Sequence, residues 1–324
     1  MTVVTAGLVS LLGLDPASYR PHMLHAPDRT YAETNCYADI VVELLHACGM
    51  EPLAAMGCAV RVDFEGDQWT FLKPLPADLE RLFGIDVHEL QPYRPLPEQA
   101  LEQILDGRTL IVELDAWYLP DTAATSYRRE HVKTSVAIEG IDPAAERLRY
   151  FHAGGLYELR DEDYRGVFHL SGSVPAEVLP PYTELVRFDL GAPLTGEALL
   201  DAARASLAEH LRRRPRDNPF GRFAVQLEAV LPTLFGRDPA AFHAYAFATV
   251  RMAGSAFQAA SAHARWLLGG DADAICRPLE EIVEGCKALS FKLARRRHFE
   301  PQPTTDALAA AWDEAMGSFD AILG

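Results

Sequence analysis

ETNCYADIVVELLHACG, residues 33–49, is the stretch on which the rest of the chain turns. Asn35 is a helix-capping residue type. Ile40, Val41, Leu44, Leu45 and Cys48 recur at helical spacing on one face, and Gly49 closes the run. The pattern predicts an amphipathic helix over 36–48 with Cys36 in its first turn. Helix N-termini carry partial positive charge and unpaired backbone N–H groups, which favour a thiolate and can hold a developing oxyanion. A cysteine so placed is a candidate nucleophile. The plain alternative is a small buried side chain, because free cysteine is among the most buried residue types.

Two later segments supply a candidate partner. TLIVELD (109–115) predicts a buried strand, and HVKTSVAIEGI (131–141) predicts another, turning at Asp142-Pro143 into 147–151. If the first two are antiparallel neighbours, Asp115 and His131 lie at the same end of the sheet, with 116–130 as the loop between them. A carboxylate there would hold the imidazole in one tautomer, as a general base requires. Asp142 is excluded from that role, since eleven residues of strand separate it from His131 by roughly 35 Å. The competing account of His131 is a surface histidine at a strand edge.

The remaining pattern outlines the architecture. Residues 59–64 alternate like a strand, 77–83 and 97–105 predict short helices, and 184–190 a further strand. After residue 190 the chain turns Ala-rich, with helices expected at 195–213, 222–235, 239–268, 272–297 and 304–322 and a break at Gly269-Gly270. The expectation is an α+β protein with two domains, 1–190 and 191–324, the second all-helical. The 324 residues are enough for two domains, and 49% hydrophobic with 23% charged residues is an ordinary globular composition. Thirty Lys and Arg against 46 Asp and Glu give a net charge of −16, which disfavours a nucleic-acid wrapper or a membrane-surface binder. Five unevenly spaced cysteines without a CxxC pair argue against a zinc ribbon or a disulfide framework, and for a reducing, cytoplasmic setting. The apolar start MTVVTAGLVSLLGLDP has no basic residue before it, so it reads as structure rather than as a signal peptide.

The order of Cys on a helix, then Asp and His on strands, is that of papain-like thiol enzymes. Residues 25–190 resemble the N-terminal domain of the butirosin biosynthesis protein H family, and are most similar to an uncharacterised bacterial family related to it. The matching residues are Asn35, Cys36 and Tyr37; Asp115, Trp117, Tyr118, Leu119 and Pro120; and His131 leading into IEGID. The resemblance implies a papain-like fold and a cysteine-dependent acyltransferase of specialised metabolism. Such an enzyme moves an acyl or aminoacyl group from a carrier-protein thioester to a small-molecule amine. The cofactor would then be only the carrier protein's own phosphopantetheine arm. Aminoacyl-tRNA is a second donor, against which the negative charge argues. The same Cys-His site would serve a peptidase, amidase or thioesterase, and a papain-like shell can also be a non-catalytic binding protein.

One departure stands out. Papain-like enzymes place Asp or Asn on the strand after the catalytic His, and 144–159 holds neither. The third role falls to Asp115 or to His152, or is unfilled, and a Cys-His pair can work without it. Asn35, Tyr37, Trp117 and Tyr118 are candidate substrate-binding residues through the resemblance. Arg128 and Arg129 could bind phosphate at the site mouth. Asp63, Glu65 and Asp67 with Trp69 could bind a cationic amine, or form a solvated turn. The basic runs RRRPR (212–216) and RRRH (295–298) fit helix C-termini, where cations are favoured anyway. No close ligand pair supports a metal at Cys36, His131 and His152.

Overall fold

The computed structural model describes residues 2–5, 7–170, 180–295 and 297–323. Its chain forms two compact units. The first comprises Met1–His25, Cys36–Pro52 and Pro76–Leu194, and the second Ala26–Asn35, Leu53–Leu75 and Thr195–Gly324. The second unit thus takes two segments from the N-terminal half as well as the helical tail.

The first unit is an α+β layer built on an antiparallel sheet. Its strands are β1 (Val3–Thr5), β2 (Leu8–Ser10), β5 (Asp86–Leu90), β6 (Thr109–Asp115), β7 (Lys133–Asp142), β8 (Arg147–His152), β9 (Gly155–Arg160) and β10 (Thr183–Arg187); the short pair β3 (Phe64–Glu65) and β4 (Gln68–Trp69) belongs to the second unit. The sheet runs β1-β2-β7-β6-β10-β5, with β8 on β7 and β9 on β8. The β7–β8 turn falls where Asp142-Pro143 placed it, and Asp142 Oδ1 accepts from the backbone N–H groups of Ala144 and Ala145 at 3.1 and 3.0 Å.

Helix α1 (Cys36–Ala47) packs on β7 and β8. Helices α3 (Leu96–Leu105) and α4 (Asp161–Val167) contact the sheet too, and their apolar residues join Leu110, Val112, Leu114, Val136, Ile138 and Tyr150 in one core. Strand alternation sends the odd positions the other way. Ser135 and Phe151 therefore face the α1 side, and Phe151 meets the Tyr19 ring there at 5.6 Å. The small helix α2 (Pro76–Phe83) ends at Gly84, whose φ of +65° and approach to Gly191 leave no space for a Cβ.

The second unit is helical: α5 (Gly196–Arg212), α6 (Pro219–Phe235), α7 (Pro239–Ala246), α8 (Met252–Leu268), α9 (Asp273–Ala294) and α10 (Gln302–Leu323). Two expectations change here. Residues 59–64 do not form a strand: Pro52–Arg61 is a 3₁₀ helix, and only Phe64 and Glu65 are extended. The run LAAMGCAV is buried on every side, and Gly57 lies so close to His263 that a Cβ would sit 3.0 Å from its Nε2. Small residues around a packed ring suit a tight coil better than a two-faced strand. The long helix expected at 239–268 is interrupted by a π turn at Phe247–Arg251, with the Thr249 hydroxyl donating back to Tyr245 O at 2.6 Å. Among the described residues no helix is long and apolar enough to cross a membrane.

Candidate active site

Cys36 is the first residue of α1, and it is half-buried. Its Sγ lies 3.6 Å from the hydroxyl Oγ of Ser135 on β7. Ser135 pairs across the sheet with Glu113, and Asp115 pairs with Lys133, so all four side chains share the α1 face. Lys133 Nζ donates to Glu113 Oε1 at 2.6 Å. The thiol therefore stands over a polar strip on two central strands.

Asp115 is the last residue of β6, and His131 lies two residues before β7 rather than on the strand expected from 131 onward. His131 Nδ1 is 2.7 Å from Asp115 Oδ2, while Asp115 Oδ1 accepts from the backbone N–H of Trp117 at 3.0 Å. A carboxylate only accepts, so His131 donates through Nδ1 and its Nε2 is the basic nitrogen. The Trp117 ring lies flat on the imidazole, with centroids 4.5 Å apart and planes 8° apart. Asp115 and Trp117 together fix the ring although 66% of the His131 side chain is exposed. Among the described residues no hydrogen bond joins Cys36 to His131. Four residues of chain separate His131 from Ser135, about 13 Å if fully extended.

His152 lies elsewhere. Alternation along β8 turns it to the face of Tyr150, away from Phe151 and α1. Its Nδ1 is 2.5 Å from Asp121 Oδ2 and its Nε2 is 2.9 Å from the Thr134 hydroxyl. Asp115 is thus the carboxylate on His131, and His152 belongs to a separate set across the sheet.

The other candidates are spread over both units. Asn35 is buried and donates to Leu72 O at 2.8 Å. Tyr37 is buried, with its hydroxyl donating to Glu184 Oε2 at 2.6 Å; burial, then that carboxylate, push its phenol well above the ordinary range. Tyr118 packs on Gly166 and beneath the Arg128 guanidinium, 5.5 Å from its ring centroid. Arg128 also pairs with Asp163 at 2.6 Å, and Arg129 donates to Ala124 O at 3.0 Å. In the second unit Asp63 pairs with Arg222, and Asp67 and Glu65 are exposed on the β3–β4 hairpin. Trp69 there is core, among Phe64, Phe220, Phe223 and Phe257. Of the basic runs, Arg214 is bidentate to Asp320 at 2.6 and 2.7 Å; Arg212 and Arg216 line a cavity of about 510 Å³ beside it, and Arg296 lies outside the described residues.

The site also holds groups that the sequence pattern did not single out. Glu113, Lys133 and Ser135 were legible as polar residues at alternate places in buried strands. Asp39 and Glu43 recur with Cys36 at helical spacing, and both lie on His25: Nε2 is 3.3 Å from Asp39 Oδ1, and Nδ1 meets Glu43 Oε1. Burial alone would lower the His25 pKa, but the two carboxylates hold it up at about 9, a buried imidazolium on the helix that begins with Cys36. No sequence signal pointed to His25, which lies eleven residues from Cys36 outside any periodic segment. No group of three or more His, Cys, Asp or Glu side chains is poised to hold a metal ion among the described residues.

Comparison with curated proteins yields no match. Family models match nearly the whole chain, the DUF1839 N-terminal domain over residues 20–188 and the DUF1839 C-terminal domain over 196–321. The chain therefore belongs to the DUF1839 family, and the thiol at the start of α1 over a polar strip is a feature of a member of that family.

Proposed function

We propose that this protein is a cysteine-dependent acyltransferase with a papain-like catalytic unit, akin to the butirosin biosynthesis protein H family. The observation that carries the proposal is the placement of Cys36 at the start of α1, against the sheet face that also bears the Asp115–His131 pair. In this reading Cys36 Sγ attacks the carbonyl of an acyl or aminoacyl thioester delivered on a carrier protein's phosphopantetheine arm. His131 Nε2 takes the thiol proton and returns it to the departing phosphopantetheine thiol as that C–S bond breaks; it then accepts the proton of an attacking amine and passes it to Cys36 Sγ as the acyl–enzyme C–S bond breaks. The backbone N–H groups of the first turn of α1 receive the oxyanion. Asp115 and Trp117 are positioning residues for the imidazole.

The reading requires the His131 end of β7 to approach Cys36 when substrate binds. Catalytic hydrogen bonds are often long in empty sites and tighten only with substrate. Residues 116–132, whose two ends are joined by the Ala116 N–H to Val132 O bond at 2.8 Å, are the segment that would move. A cysteine hydrolase is the second reading, favoured by the exposure of His131, because an open base admits water as the acceptor.

Intact-protein mass spectrometry after incubation with a panel of aminoacyl thioesters tests the proposal. An acyl adduct on Cys36, lost in Cys36→Ala and formed roughly 10² to 10⁴ times more slowly in His131→Ala, supports it. Transfer of that adduct to an added amine separates transferase from hydrolase. No adduct on Cys36 with any thioester refutes both.

A further inference from the structure

On the sheet face opposite Cys36, three side chains stand in the order hydroxyl, imidazole, carboxylate. Thr134 Oγ1 is 2.9 Å from His152 Nε2, and His152 Nδ1 is 2.5 Å from Asp121 Oδ2. The second oxygen of Asp121 accepts from the Tyr150 hydroxyl at 2.5 Å. We propose that Thr134 is a second nucleophile of this protein, activated by His152 and Asp121 to open activated carboxylic esters, independently of Cys36.

The direction of every proton follows from chemistry. Burial, then Asp121, push the Tyr150 phenol well above its ordinary range, so Tyr150 is a donor and Asp121 is the acceptor. With the Asp121 carboxylate accepting from His152 Nδ1–H, the imidazole is fixed with its lone pair on Nε2. To the neutral ring the Thr134 hydroxyl donates at Nε2, the arrangement a general base needs to activate an alcohol. His152 and Asp121 are buried, at 10% and 5% side-chain exposure, so the pair is shielded from water. Thr134 is half-buried and is the second residue of β7, next to the exposed Lys133 and Val132. A buried relay that ends on the hydroxyl of a half-buried residue near the start of a strand is the order of groups that nucleophilic catalysis uses.

The step balances without any other reactant. Thr134 Oγ1 bonds to the ester carbonyl carbon as His152 Nε2 takes the hydroxyl proton. The carbon–oxygen bond to the leaving alcohol breaks, and the proton on Nε2 passes to that alcohol. Thr134 is left as an O-acyl ester, which water hydrolyses by the same route to a carboxylic acid and the free hydroxyl.

The probe is p-nitrophenyl acetate with the full-length protein, read by p-nitrophenol release and by peptide mapping of the acetyl group. The expected result is an acetyl ester on Thr134 that survives neutral hydroxylamine, which strips any thioester from Cys36. Thr134→Val should lose it, Thr134→Ser should keep it, and Asp121→Asn should slow it by roughly 10² to 10⁴. Cys36→Ala should leave it in place, so this test and that of the Cys36 reading fail separately. Wild-type protein that acetylates only at Cys36, at lysines or not at all overturns the proposal. So does an ester on Thr134 that forms at an unchanged rate in folded Asp121→Asn.

Discussion

Raising the pH should uncouple His25 from α1. In the native state the imidazole is held between Asp39 and Glu43 with only 4% of its side chain exposed. Burial opposes its charge, but the hydrogen bonds to the two carboxylates prevail and raise its pKa from an ordinary value of 6.5 to about 9. Because the folded pKa lies above the unfolded one, the stabilisation is fully present below pH 6.5 and is lost as pH rises through about 9. At 1.36 kcal/mol per unit the full swing is about 3 kcal/mol. The facing groups narrow the window to His25 itself. Burial, then Glu43, keep the Tyr19 phenol protonated, and burial pushes the Cys48 thiol up to about 11. On the acid side, Glu43 is buried, but its bonds from His25 and Tyr19 hold its carboxyl below the ordinary range. That contribution is lost on acidification, so this cluster is most stabilising between the carboxylate and imidazole ranges. Carbon-13 NMR of labelled histidine should show one ring titrating near 9, absent in His25→Gln. Urea unfolding should show wild-type protein losing about 3 kcal/mol more than His25→Gln between pH 6 and pH 10. A His25 that titrates at or below 6.5, or equal pH dependence of the two proteins, would refute the reasoning.

Other expectations are local. Trp69→Ala should destabilise the second unit by about 3–5 kcal/mol in thermal or urea unfolding, because it empties the centre of an aromatic cluster; a loss below 1 kcal/mol would show that the cluster carries little. Gly84→Ala should cost about 1–3 kcal/mol, since its Cβ would lie 2.4 Å from Gly191 O at a positive φ, and an unchanged melting temperature would contradict that crowding. Tyr150→Phe should cost about 1–3 kcal/mol by leaving one oxygen of buried Asp121 unpaired, and an unchanged melting temperature would contradict that account. Brief iodoacetamide treatment of native protein should label Cys36 and spare Cys58, Cys276 and Cys286, which are buried; label on Cys286, whose thiol burial also pushes up, would mean the second unit opens readily.

Much of this architecture could be read in the chain. Periodicity located α1, β6, β7 and most of the helical tail, because each has one apolar face or a continuous buried run whose spacing survives without partners. The two places where it misled are those where neighbours set the backbone. His263 and Gly57 impose a 3₁₀ coil on a segment that alternates like a strand, and one extra residue makes a π turn at Phe247–Arg251 inside a seamless helical pattern.

For the site, the chain order of Cys36, Asp115 and His131 and the antiparallel pairing of two buried strands were enough to place Asp115 on the imidazole, since neighbouring strands joined by one loop bring their facing ends together. Which face each histidine takes was not legible. Whether His152 joins His131 or Thr134 depends on strand register, and a shift of one residue reverses the face. Nor could the sequence show Asp121, carried by the 3₁₀ turn Pro120–Thr122, or His25, which meets Asp39 and Glu43 only after the segment before α1 has folded back on the helix. Local spacing determines which elements form and which of their faces are apolar. Contacts between residues far apart in the chain determine which polar groups meet on those faces, and no local propensity encodes them.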